Sequence, residues 1–125
     1  MNKAEVRAIY DDMASAFPDA VRSFTVKVTD NVSWSGSGLL LNSATSRHLF
    51  AGESLGNRNA AALLCRTDRL LLADESVVAE SDLENTLPGL ILKISDREYR
   101  ILQASIHALG GLVRITLNSP EAVGL

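Results

Sequence analysis

Pro18 divides the chain into two regimes of hydrophobic spacing. Before it, Val6, Ile9, Tyr10, Met13 and Phe17 recur at three- and four-residue steps, the stripe of an amphipathic helix. After it, Phe24, Val26 and Val28 alternate with Thr25 and Lys27, the two-residue period of a strand with one buried face. The helix stripe therefore needs a sheet surface to cover it, on its own domain or on a neighbouring subunit. Asn2 suits the N-cap, with Glu5 placed to reach back as in a capping box. Pro18 disfavours the α region at Phe17 and ends the helix.

The rest of the chain reads as short strands between turns. Asp30-Asn31 marks a turn, and Val32 to Leu41 is the returning strand. Gly36 and Gly38 inside it suggest a bulge or a bend where a sheet curls. Ala61 to Arg66 is a strand with a largely apolar run, which Arg69 to Leu72 either continues or leaves as a helical turn. Asp74 to Glu84 reads as an acidic connection with room for a short edge strand. Pro88-Gly89 fits a type II turn, Ser95-Asp96-Arg97 a tight turn, and Gly110-Gly111 a hairpin. The strands between them carry Leu90, Leu92 and Ile94 (or Ile91 and the opposite register), then Tyr99 and Ile101, then Val113, Ile115 and Leu117. A β-rich chain of this kind closes or pairs its sheet to avoid exposed edges.

The expected fold is thus mainly β: a small antiparallel β-barrel or sandwich with an N-terminal amphipathic helix and a long central loop. The 125 residues make one domain, with the helix over residues 1–18, the barrel over 22–117, the loop over 42–60 and a C-terminal tail over 118–125. No apolar run approaches the roughly 18 residues of a membrane span. A net charge of -3, with both signs scattered, argues against wrapping of nucleic acid. The single cysteine excludes an internal disulfide.

Catalytic chemistry finds no convergent set. His48 lies in the polar loop and His107 near a hairpin, neither with a Cys, Asp or Glu at metal-binding spacing. Cys65 sits in the apolar run Leu63-Leu64-Cys65, the setting of an inert buried thiol. Gly52 to Gly56 lacks the Gly-Lys-Ser/Thr ending of a phosphate loop. No catalytic residue, metal or cofactor is expected. Trp34 reads as core, with an interface anchor as the alternative. Loops as long as Asn42 to Asn59 are uncommon in compact domains and are usually functional or ordered only on binding, which makes this one the first candidate for a contact segment. Its interface candidates are Arg47, His48, Leu49, Phe50, Leu55 and Arg58. Together with Arg66, Arg47 and Arg58 could meet an acidic surface or a DNA backbone.

Four stretches carry a resemblance. Leu63-Leu64-Cys65-Arg66-Thr67-Asp68 is an apolar strand running into an Arg-Thr-Asp segment, followed later by Leu87-Pro88-Gly89-Leu90-Ile91-Leu92-Lys93-Ile94. Glu98-Tyr99-Arg100-Ile101 and Gly110-Gly111-Leu112-Val113-Arg114-Ile115-Thr116-Leu117 complete the pattern. In this order they resemble the phage lambda FII-like head-tail joining proteins, a neck and connector family. Two features depart from that family's pattern: Leu90 rather than Asp follows Gly89, and the acidic segment Asp74 to Glu84 is longer. The resemblance implies a non-enzymatic virion protein that forms a homo-oligomeric ring at the neck. It would assemble in the host cytoplasm and join the portal or adaptor proteins to the tail tube or tail terminator. Contact with DNA in the channel, and no membrane partner, are the further expectations.

Overall fold

A computed structural model of the chain describes residues 2–42 and 60–118. The first element is helix α1, Lys3–Ala16. Asn2 stands at its N-cap with an extended backbone, and its Oδ1 accepts the Glu5 N–H at 3.0 Å. The helix stops one residue short of Phe17, and a 3₁₀ turn over Pro18–Ala20 leads into the sheet.

Six strands follow: β1 Val21–Thr29, β2 Val32–Asn42, β3 Ala60–Arg66, β4 Ile91–Ile94, β5 Arg97–Ile106 and β6 Leu112–Asn118. All neighbours are antiparallel, and they close into a barrel in the order β1-β2-β3-β6-β5-β4. Closure removes the sheet edges and completes the barrel anticipated from the strand pattern. β4, β5 and β6 form the expected meander, joined by short turns. At the turn that leads into β4, Leu90 N–H donates to the Leu87 carbonyl at 3.1 Å, with Gly89 at φ +89°. This is the type II geometry that the Pro-Gly pair favours.

Three stretches differ from the sequence reading. The register through Gly36 and Gly38 is unbroken against β1, so neither glycine marks a bulge there. They serve close approach instead: a Cβ at Gly38 would lie 2.5 Å from the Leu64 carbonyl oxygen, and one at Gly36 would lie 2.9 Å from that of Arg69. The segment after β3 makes a 3₁₀ turn over Thr67–Arg69, after which Leu71 exchanges both backbone hydrogen bonds with Ser35. Leu71 in turn bridges Val77, the residue that forms the short edge pairing. Beyond it, Glu80–Thr86 is helix α2, within what the acidic composition suggested was only a connection. A seven-residue helix with one buried position, Leu83, shows too little periodicity to be recognised.

The apolar side chains form two clusters. Inside the barrel lie Phe24, Val26, Trp34, Leu63, Cys65, Leu92, Ile101, Val113, Ile115 and Leu117, with Leu83 of α2 and Leu87 just past its end joining them. Outside, Val6 and Tyr10 of α1 pack on Leu39, Leu64 and Leu112, flanked by Met13 and Ala14. β3 is therefore buried on both faces, which explains its unbroken apolar run. The helix stripe finds its surface on its own domain. Phe17 does not take part in it; it lies past the helix end and is 58% exposed.

Candidate functional site

The interface candidates Arg47, His48, Leu49, Phe50, Leu55 and Arg58 lie outside the described residues. Arg66, grouped with them on the sequence, belongs to a different structure. It ends β3 and carries a clasp that ties α1 to the barrel. Its Nε and Nη2 bind the two Asp68 oxygens at 2.9 and 2.6 Å, a bidentate pair, while Nη1 reaches Asp11 of α1 at 2.7 Å. Arg7, one helical turn before Asp11, donates from Nη2 to Thr67 Oγ1 at 3.1 Å. Arg69 approaches Asp11 at 3.6 Å and lies 6.0 Å from the centre of the Tyr10 ring.

These contacts fix the charge states of the clasp. The hydrogen bonds from Arg66 hold the Asp68 carboxyl below the usual carboxylate range, against an opposing effect of burial. The same bonds strengthen the guanidinium's hold on its proton. Three arginines (Arg7, Arg66, Arg69) meet two aspartates (Asp11, Asp68), so the cluster is cationic by one charge on an acidic chain. The Arg66-Thr67-Asp68 segment that carried the family resemblance is thus the core of a structural clasp.

Beside the clasp opens a groove of about 570 Å³ on the outer face of β1 and β2. Ser23 and Ser37 are paired across the strands, as are Thr25 and Ser35. Arg69, Asp68 and Leu71 form one wall, while Lys93 and Ser95 stand on the other. None of the four hydroxyls on β1 and β2 makes a side-chain hydrogen bond among the described residues. Odd-numbered positions of β1 point outwards while Phe24 and Val26 point in, so strand alternation alone puts the hydroxyls on this face.

The remaining candidates have structural placements. His107 sits in the β5–β6 turn, where its Nδ1 accepts the Leu109 N–H at 3.1 Å. Cys65 is fully buried, and burial, with Asp68 nearby, pushes its thiol up to about 12. Trp34 is buried in the barrel interior, and its indole N–H has no acceptor among the described residues. Glu80 opens α2 and ties the barrel end together: Oε1 accepts the Gly111 N–H at 2.9 Å and Oε2 binds Lys3 Nζ at 2.9 Å. Burial works against its charge, yet Gly111, Lys3 and the Thr67 hydroxyl together outweigh it and lower its pKa. Among the described residues no group of three or more His, Cys, Asp or Glu is placed to hold a metal ion. No described helix is long and apolar enough to cross a membrane.

The clasp was only partly readable from the sequence. Arg66 and Asp68 stand two apart, but Asp11 lies 55 residues away from Arg66, and nothing in local spacing announces that contact. The oppositely charged pair on the helix flank, Arg7-x-x-x-Asp11, is the one local signal available.

No protein-family model matches the chain, and no curated protein or solved structure matches it.

Proposed function

We propose that this chain is a structural virion protein of a tailed phage that forms a ring at the neck and joins the DNA-filled head to the tail. One observation carries the reading: a closed barrel in which the end of β2, the start of β3 and the end of β6 meet at one rim. The pairs Asn42↔Ala61 and Ala60↔Asn118 put the last residue of β2, the first of β3 and the last of β6 side by side. A rigid barrel with these strand ends gathered at one rim suits a part clamped between a portal or adaptor above and a tail tube or tail terminator below. The resemblance of Leu63 to Asp68 and Leu87 to Leu117 to the FII-like joining proteins supports the same assignment.

The test is excision. Because Asn42 and Ala61 are cross-strand partners, replacing residues 43–59 by a short Gly-Ser turn should leave the barrel folded, with an unchanged far-ultraviolet spectrum. Extracts supplied with this variant should accumulate filled heads and free tails. Full joining by the shortened chain would defeat the assignment of that segment. Immunogold labelling of particles separates the neck from a tail-tube or tail-terminator position.

The hydroxyl-lined groove favours one second reading, a stand-alone binding barrel. Stacking on bases would need a platform of exposed aromatic rings, and among the described residues Tyr10, Phe24, Trp34 and Tyr99 are buried, leaving Phe17 alone exposed. Tight, salt-sensitive binding of single-stranded DNA in a gel-shift experiment would establish that reading instead.

A further inference from the structure

We infer that the groove on β1 and β2 receives the solvent-facing flank of α1 from a second copy of this chain, and that this contact, repeated head to tail, builds the ring. The inference rests on the ring reading above and adds its interface. α1 packs over β3 and β6. In the closed order β1-β2-β3-β6-β5-β4 those two strands stand across the barrel from β4 and β1. The groove itself spans β1 and β2, and its Arg69 wall adjoins Asp11 of α1, so the groove and the solvent-facing helix flank are two different patches on neighbouring faces of the molecule. Two different patches placed this way make a heterologous contact, the kind that closes into a ring when the rotation permits.

The charges match. Glu5, Ala8 and Asp12 follow at steps of three and four, so they share one face of α1, and all three are exposed. Arg7 and Asp11 lie on the opposite flank, engaged with Thr67 and Arg66. Neither Glu5 nor Asp12 makes an ion pair among the described residues, and neither does Lys93. Arg69 has only a loose 3.6 Å pairing with Asp11, which already holds Arg66 at 2.7 Å.

The spacing matches as well. Glu5 and Asp12 are seven residues apart, about 10 Å along the helix at 1.5 Å per residue. Across the groove the register runs Lys93↔Thr25, Thr25↔Ser35, Ser35↔Leu71. Three steps of about 4.8 Å put the two walls roughly 14 Å apart at the backbone. Lys93 and Arg69 lean in from those walls on long side chains and close the difference. Ala8, midway along the helix face, then sits over Thr25 and Ser35, where its small side chain lets the helix backbone approach the hydroxyls.

A paired-cysteine experiment tests this on the full chain. Ala8→Cys and Thr25→Cys are introduced together; buried Cys65 does not compete for oxidation. Mild oxidation at high protein concentration should give a ladder of covalent multimers that ends at one closed size. Lys93→Glu should weaken association by about tenfold, and adding Glu5→Lys and Asp12→Lys should restore it. A covalent dimer with no higher species would overturn the inference, because it indicates a self-complementary contact. Rings seen by native mass spectrometry without the cross-link would overturn this interface and leave the ring standing. A monomer at every concentration, with no cross-link, would count against both.

Discussion

Gly38 and Cys65 face each other in the register of β2 and β3, and each is constrained by its neighbours. A methyl group at Gly38 would meet a backbone carbonyl, which cannot swing aside as a side chain can. Gly38→Ala should therefore cost about 1–3 kcal/mol, the range for overpacking, read from the urea midpoint at unchanged slope. Cys65 keeps its proton because burial disfavours the thiolate. Its folded pKa lies above the unfolded value of about 8.5, so its contribution is whole below that pH and declines as pH climbs towards 12. Iodoacetamide at pH 8 should label the native protein more slowly than the urea-unfolded chain by on the order of 10³ or more. Comparable rates would mean the strand is open to solvent.

α1 and β3 are held by two kinds of force. Burial of Val6 and Tyr10 contributes about 1.5–3 kcal/mol for each side chain, without direction. The Arg66 fork adds direction by fixing Asp11 of the helix and Asp68 of the barrel in one plane. Its side chain is only 16% exposed, so Arg66→Ala leaves two aspartates without their main partner and should cost about 2–3 kcal/mol in urea denaturation. Arg66→Lys should recover only part of this, since an ammonium cannot bind Asp68 bidentately. Asp68 titrates below its unfolded value of about 3.9. Its contribution is present above that pH and is lost as the pH falls through the lower folded value. Stability measured from pH 6 to pH 3 should fall, and Asp68→Asn should flatten the slope. An unchanged slope would show that other carboxylates dominate.

The barrel is closed, but its seams are unequal. β3 pairs with β6 from Ala60↔Asn118 to Arg66↔Leu112, whereas β1 and β4 meet only at Thr25↔Lys93 and Val26↔Leu92. The short seam lies at the bare, groove-bearing side, away from the helix that covers β3 and β6. Native-state hydrogen exchange should therefore find the β4 amides bonded to β1 opening first, with β3 and β6 exchanging only on global unfolding. Formation of the proposed ring would cover that side. The β4 amides should then gain protection in the assembled state while those of β3 stay as they were.

Period and punctuation in the sequence sufficed for the helix, its Asn2 cap, the strands and the Pro88-Gly89 turn, because each rests on residues within a few positions of one another. Buried Trp34 and Cys65 were legible for the same reason, as apolar members of such runs. Closure of the barrel through β1 and β4, the docking of α1 over β3 and β6, and the meeting of Arg66 with Asp11 were settled only in three dimensions. Contacts between residues some fifty positions apart leave no mark in local spacing. Helix α2 stayed hidden because seven residues are stabilised by the barrel they plug rather than by their own periodicity.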